Sequence, residues 1–236
     1  MILQNEAWGF DIESTGVNVF EDRIVTFSLV NVAPGGEVTE KLRWLINPGV
    51  PIPDEASAIH GITTEHAKEH GEQREAALCA IAAKLAGLIH RSTPICVYNA
   101  AFDCSMLRAE LQRYGIGYAF LDDILPIDPL VCDKHFDMFR KGSRKLTDVA
   151  AWYGVPLAQS EAHDSCFDAV AAVRIAQAMF AHYSELHAAD LAELKKYQAR
   201  WHMQQCDSFE LYLIRTNSER TVERGWPFRD VSKSKI

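Results

Sequence analysis

Residues 6–13 alternate between two faces. Trp8, Phe10 and Ile12 fall on one, and Gly9, Asp11 and Glu13 on the other. A period of two predicts a strand, because successive side chains of an extended backbone point to opposite sides. Ser14-Thr15-Gly16 supplies a turn. RIVTFSLVNV (23–32) predicts a second strand, PGG (34–36) a tight turn and VTEKLRWLIN (38–47) a third strand. The Pro- and Gly-rich stretch 48–63 is expected to be a loop. The Ala- and Leu-rich stretch 72–90 predicts a helix, PICVYN (94–99) a short buried strand, and 102–115 a helix stopped by Gly115. ILPID (124–128) suggests a fifth strand. Asp128-Pro129 then has the form of an N-cap followed by proline at the first helical position. Further helices are expected over 146–154, stopped by Gly154, and over 164–183.

From 184 to 224 the chain has neither Gly nor Pro, and Leu191, Leu194, Tyr197, Trp201, Phe209, Tyr212 and Leu213 recur at roughly helical spacing. The pattern predicts a long amphipathic helix, with a break near Asp207 and FELYL (209–213) open to a short strand. Tyr197, Trp201 and Phe209 are expected to be a packing stripe. A meander followed by alternating strands and helices points to an α/β fold. Its sheet would be mixed and five-stranded, with the second strand antiparallel and helices on both faces. Residues 1–184 would form one domain and 185–236 a C-terminal helical extension and tail.

The chain has 236 residues, enough to bury a core without staples. Its net charge of -8 argues against a protein that coats duplex DNA. Any nucleic acid must be met by a local basic patch or by metal ions. The six cysteines, Cys79, Cys96, Cys104, Cys132, Cys166 and Cys206, form no CxxC pair, so no zinc site is expected. The N-terminus lacks the basic and apolar regions of a secretory signal, and no apolar run reaches membrane-spanning length. A cytoplasmic protein with reduced thiols is the expectation.

Asp11 and Glu13 raise the chemical question. Positions i and i+2 of a strand share a side, about 7 Å apart along the chain. Two carboxylates on a covered face repel and lose hydration. Four answers stay open on this pair alone: a solvated strand end, protonation of one acid, a basic partner, or a hard divalent cation. Asp103, in YNAAFD (98–103), falls where a helix begins after the fourth strand. There it can complement the helix dipole, or face a ligand outside the strand ends if strands one and four are neighbours. In HDSCFD (163–168), His163 falls in the loop before a helix and Asp168 in its first turns, where Ser165-x-x-Asp168 fits a capping box.

Together, DIE early, NAxFD after a later strand and HxxxxD at a late helix resemble the DEDDh family of 3'→5' exonucleases. The proofreading subunit of bacterial replicative polymerases, RNase T and oligoribonuclease are of this kind. The resemblance covers roughly residues 6–183 and implies an RNase H-like fold. It places the four acids on Asp11, Glu13, Asp103 and Asp168 and the histidine on His163. It implies two Mg²⁺ or Mn²⁺ ions held by the acids, with His163 as the base. A sister group carries Tyr at closer spacing, and the four residues between His163 and Asp168 favour the histidine class. IHGIT (59–63) is similar to the family's HGI segment near the terminal nucleotide. Substrate contacts are therefore expected from Ser14, Thr15, Gly16, Ile59, His60, Ile62, Asn99 and Phe102. Tyr98 departs from the His that relatives often carry before this Asn.

RKGSRK (140–145) is the densest basic run, and Arg140, Lys141, Arg144 and Lys145 are expected either to contact phosphates of a single strand or to be a solvated loop. The expected activity is release of nucleoside 5'-monophosphates from the 3' ends of single-stranded DNA. An RNA-directed relative and an accessory subunit of a polymerase or repair complex are the alternatives.

Overall fold

The computed structural model describes residues 2–157 and 164–230. Five strands form one sheet in the order β3-β2-β1-β4-β5. They are β1 (Ala7–Ser14), β2 (Ile24–Val32), β3 (Val38–Leu45), β4 (Ile95–Cys96) and β5 (Pro126–Ile127). β2 runs antiparallel to β1 and β3, whereas β4 is parallel to both β1 and β5. Strands one and four are thus neighbours, with Gly9 opposite Cys96.

The helices are α1 (Asp54–His60), α2 (Thr64–His70), α3 (Arg74–His90), α4 (Ala100–Arg113), α5 (Pro129–Phe136), α6 (Leu146–Trp152), α7 (Ser165–His182), α8 (Glu185–Ala188) and α9 (Leu191–Arg215). One of them, α1, occupies ground expected to be loop, and α2 falls where no element was expected. α1 needs no apolar stripe because it buries none of its residues, and it closes on Gly61 in the left-handed region at φ 75°. α2 starts on Thr63, whose side chain accepts from the His66 amide. The last helix runs unbroken through Asp207 and FELYL, so neither the break nor the strand alternative holds. Its start is set by a capping box between Asp190 and Glu193.

The alternation of β1 sorts the core into two layers. Trp8, Phe10 and Ile12 pack with Phe27, Leu29 and the apolar faces of α3 and α4. On the other face, Val30 and Val32 pack with Val170, Val173 and Ile175 of α7. β2 lies inside the sheet with helices over both faces, and all nine of its residues are buried. α9 forms an outer layer on α5. Trp201 is buried and stacks on His135 at 4.0 Å between ring centroids, while Tyr197 and Phe209 are exposed, so the expected packing stripe holds only at Trp201. Fully buried Gln198 joins α9 to the end of β5, donating to the Pro126 carbonyl at 2.8 Å and accepting from the Asp128 amide at 2.7 Å. Among the described residues, no helix is long and apolar enough to cross a membrane.

Candidate active site

One glycine explains how α7 comes so close to β1. A Cβ built on Gly9 would stand 2.4 Å from the Ala169 carbonyl oxygen and 2.7 Å from the Val173 side chain. Only a residue with no side chain fits, and the helix settles directly on the strand. Gly9, Asp11 and Glu13 share that face. The approach delivers Asp168, in the first turn of α7, to the two acids of β1. Asp11, Glu13 and Asp168 each offer a carboxylate oxygen, all within 4.8 Å of one another.

Asp103 enters from the parallel neighbour. The chain leaves β4 and turns at Asn99, which sits in the left-handed region at φ 64°, ψ 48°. Asn tolerates that region better than most residues. α4 then begins, with buried Asp103 in its first turn. Its Oδ1 accepts from the Ile12 amide at 3.0 Å, between Asp11 and Glu13. The turn itself is held by Asp128. The buried Asp128 carboxylate caps α5 and also accepts from the amides of Asn99 at 3.1 Å and Ala100 at 2.9 Å.

Asp103 is buried, and Asp11, Glu13 and Asp168 are half-buried beside it. Burial, then the charges of Asp103, Glu13 and Asp168, hold Asp11 well above the usual carboxylate range. Burial also raises Asp103, against the lowering effect of the Ile12 amide. Glu13 is pushed up to about 8 by burial and by the Asp168 and Asp164 charges, with Arg43 opposing. Such a group of oxygens asks for protons or for a hard cation, and a divalent ion is the better match to several carboxylates at once. The donor set is all oxygen, which suits Mg²⁺ or Mn²⁺.

Other expected residues fall as follows. Gly16 sits where a Cβ would stand 2.5 Å from the Asp22 carboxylate. That carboxylate organises the loop after β1. It accepts from the Thr15 hydroxyl at 3.0 Å and from the Asn18 amide at 2.8 Å. Thr15 is buried and its hydroxyl is committed to this loop, while the Ser14 hydroxyl donates to the Gly16 carbonyl at 2.6 Å. His60 accepts from the Ile62 amide at 3.2 Å. Burial lowers its pKa, with the nearby Ser14 backbone opposing, so the α1 segment abuts the end of β1. Its Nε2 is buried without a hydrogen-bond partner among the described residues.

Ile59 is exposed, but Ile62 is 6% exposed and packs with Val25, Ile52 and Ala67. The expected substrate contact from Ile62 is therefore corrected: its side chain is core. Asn99 is exposed, and Phe102 is half-buried beside Asp103. The basic run also needs correction. Arg140 and Arg144 turn inward onto fully buried Asp133, with their side chains 8% and 16% exposed. Only Lys141 and Lys145 of the four remain exposed. His163 lies outside the described residues.

Several site residues escaped the sequence. Asp164, rather than Ser165, caps α7, accepting from the Cys166 amide at 2.9 Å and pairing with Arg43 of β3 at 3.1 Å. Buried Ser165 instead reaches back to β2, with its hydroxyl 2.6 Å from that of Ser28 and 3.0 Å from that of Thr26. Ser28 stands opposite Asp11 and Thr26 opposite Glu13. The signal was present: two hydroxyls at i and i+2 interrupt an apolar strand on the same face as the two acids. Arg43 gave none, since it reads as any exposed strand residue.

An exonuclease family model (RNase_T) matches residues 9–176. The DNA polymerase III PolC-type of Mycoplasmopsis pulmonis is 26% identical over 184 residues, which cover 78% of this chain and 12% of the polymerase. That of Halalkalibacterium halodurans is 26% identical over 118 residues, 50% of this chain and 8% of the polymerase. E. coli exonuclease I in complex with a dT13 oligonucleotide matches with a TM-score of 0.62 at 23% identity. The match covers 78% of this chain and 43% of that one. The zinc-bound form of its complex with single-stranded DNA gives 0.63 at 24% identity, covering 78% and 42%. The chain thus spans a small part of the polymerases and under half of exonuclease I. Exonuclease I has the same RNase H-like fold, with a mixed sheet and flanking helices. With the family model spanning both the DIE strand and the helix that brings Asp168 to it, the chain belongs to the RNase T-type exonuclease family.

Proposed function

We propose that the chain is a metal-dependent 3'→5' exonuclease that removes nucleoside 5'-monophosphates from single-stranded DNA. The observation that carries this reading is the convergence of Asp11, Glu13 and Asp168 within 4.8 Å, with Asp103 fixed to the strand between the first two. Two Mg²⁺ or Mn²⁺ ions would be held by Asp11, Glu13 and Asp168, with Asp103 beside them. When bound, they would supply the positive charge that an in-line attack on a phosphodiester needs.

Asp103 would keep its orientation through the Ile12 amide. The Asp164–Arg43 pair would hold the start of α7, and with it Asp168. His163 would take the proton of the attacking water, as its unperturbed pKa of about 6.5 allows near neutrality. Backbone groups of Ser14 and Gly16, the exposed Ile59, and Asn99 and Phe102 would border the terminal nucleotide. Single-stranded DNA is favoured because fold neighbours bind dT13 and dA16 oligonucleotides. The setting we favour is a polymerase or repair complex, since the PolC-type relatives carry the matching stretch within a polymerase.

The test uses 5'-labelled single-stranded DNA and RNA with Mg²⁺, Mn²⁺ or Zn²⁺, with and without chelator, for the wild type, Asp11→Ala and His163→Ala. A descending ladder on DNA that needs Mg²⁺ or Mn²⁺ and is lost in both variants is expected. A ladder on RNA alone would replace the substrate, and no degradation of either polymer would overturn the activity.

A further inference from the structure

The segment after α9 returns across the molecule to α4. Trp226 Nε1 donates to Asp128 Oδ2 at 3.1 Å, joining the carboxylate that holds the Asn99 and Ala100 amides. The Arg108 guanidinium carbon stands 3.3 Å from the centre of the Phe228 ring. The Arg229 amide donates to the Ser105 hydroxyl at 2.7 Å. Its guanidinium carbon lies over the Phe102 ring, 5.3 Å from the centre. Phe102 and Ser105 lie on either side of Asp103 in α4, so the tail reaches the helix where it carries that acid.

Arg229 is 13% exposed and pairs with Glu223 at 2.8 Å, a carboxylate that is itself 60% exposed. Burial opposes the guanidinium charge, and the charges of Glu223 and Asp103 favour it. Asp103 is thus within electrostatic reach of a cation brought by the tail. A chain of net charge -8 with four carboxylates in its site repels a polyanion, and Arg140 and Arg144 are committed to Asp133. A guanidinium held against an aromatic face has the planar fork that phosphate accepts. Glu223 is a replaceable partner, because an ion pair with an exposed carboxylate is weak.

We propose that Arg229 is a substrate-contacting residue of the exonuclease site, which exchanges Glu223 for a backbone phosphate of the bound strand on the α4 side of the acidic cluster. The inference rests on the exonuclease reading for its substrate class. It would make the tail part of the site, although the family match stops at residue 176.

The test measures binding of a fluorescent oligothymidylate with phosphorothioate terminal linkages, by anisotropy across a salt series, using the full chain. Loss of one phosphate contact from a single strand reduces the slope of log affinity against log salt by about 0.7. Arg229→Gln should show that flattening and an affinity loss of about tenfold or more, as for a charged hydrogen bond. Arg229→Lys should keep the slope and recover part of the affinity. Glu223→Gln should tighten binding at low salt.

Hydrolysis of the p-nitrophenyl ester of thymidine 5'-monophosphate, which has a single phosphate, should fall less in Arg229→Gln than hydrolysis of the oligonucleotide. A folded Arg229→Gln protein with the wild-type slope and affinity would overturn the proposal. So would equal losses on the ester and the oligonucleotide, which would make Arg229 a support for Asp103 alone. If Arg229→Gln does not fold, Glu223→Gln decides, and unchanged binding there overturns the contact. Wild-type binding without hydrolysis under any metal would defeat the exonuclease reading, while the salt slopes would still decide the phosphate contact.

Discussion

Replacing Glu13 by Gln removes one of the crowded charges and keeps the shape of the side chain. In the folded protein Glu13 has its pKa pushed from 4.5 to about 8, first by burial and then by Asp168 and Asp164. The unfolded chain releases this proton near the ordinary value, and the folded chain holds it until about 8. Between those points the native state binds more protons, so stability falls as pH rises and the loss is complete above the folded value. At 1.36 kcal/mol per unit, the whole displacement corresponds to ~5 kcal/mol. The assay is urea unfolding in chelator at pH 5 and pH 9. Wild type should lose several kcal/mol across that interval, and Glu13→Gln should lose less, keeping only the part due to Asp11 and Asp103, which are also raised. The variant should therefore be the more stable of the two at pH 9. Added Mg²⁺ should reverse the order, because an ion bound only by the folded state stabilises it and the variant has one ligand fewer. Equal midpoints for the two proteins at pH 9 in chelator would refute the claim that Glu13 is crowded and desolvated.

Gly9→Ala places a Cβ against the Ala169 carbonyl, so α7 must lift. A loss of ~1–3 kcal/mol in urea unfolding is expected, with a fall in nuclease kcat as Asp168 withdraws. Asp128→Ala strips the amides of Asn99 and buried Ala100 and the Trp226 indole of their acceptor. Denaturant titration should show a cost of at least ~3 kcal/mol, from orphaned donors at ~1–3 kcal/mol each. Activity of the wild type should fall below about pH 6 as His163 takes a proton, and a pH–rate profile that stays flat down to pH 5 would remove it as the base.

The strands, the order of the elements and the acids were legible in the residues themselves. Period-two alternation marked β1, and turn residues bounded β2 and β3. Asp128-Pro129 announced α5, and its cap formed as expected. The short helices α1 and α2 were not legible, because neither carries an apolar face long enough to set a period. The continuity of α9 was hidden by aromatic and β-compatible residues at 209–213, whose helical state is decided by the turns on either side.

What the sequence determined by itself was the set of chemical groups: Asp11 and Glu13 on one strand face, Asp103 after a strand and Asp168 at a helix start. Whether they meet was decided by tertiary structure. Parallel pairing of β1 with β4 puts Asp103 on the Ile12 amide. A glycine with no side chain lets α7 bring Asp168 against the strand. The same folding turned Arg140 and Arg144 inward and carried Arg229 from the far end of the chain to Phe102. Spacing along a strand or helix is local, and a sequence displays it. Contacts between segments far apart in the chain depend on which faces pack, and packing is settled only when the whole core closes.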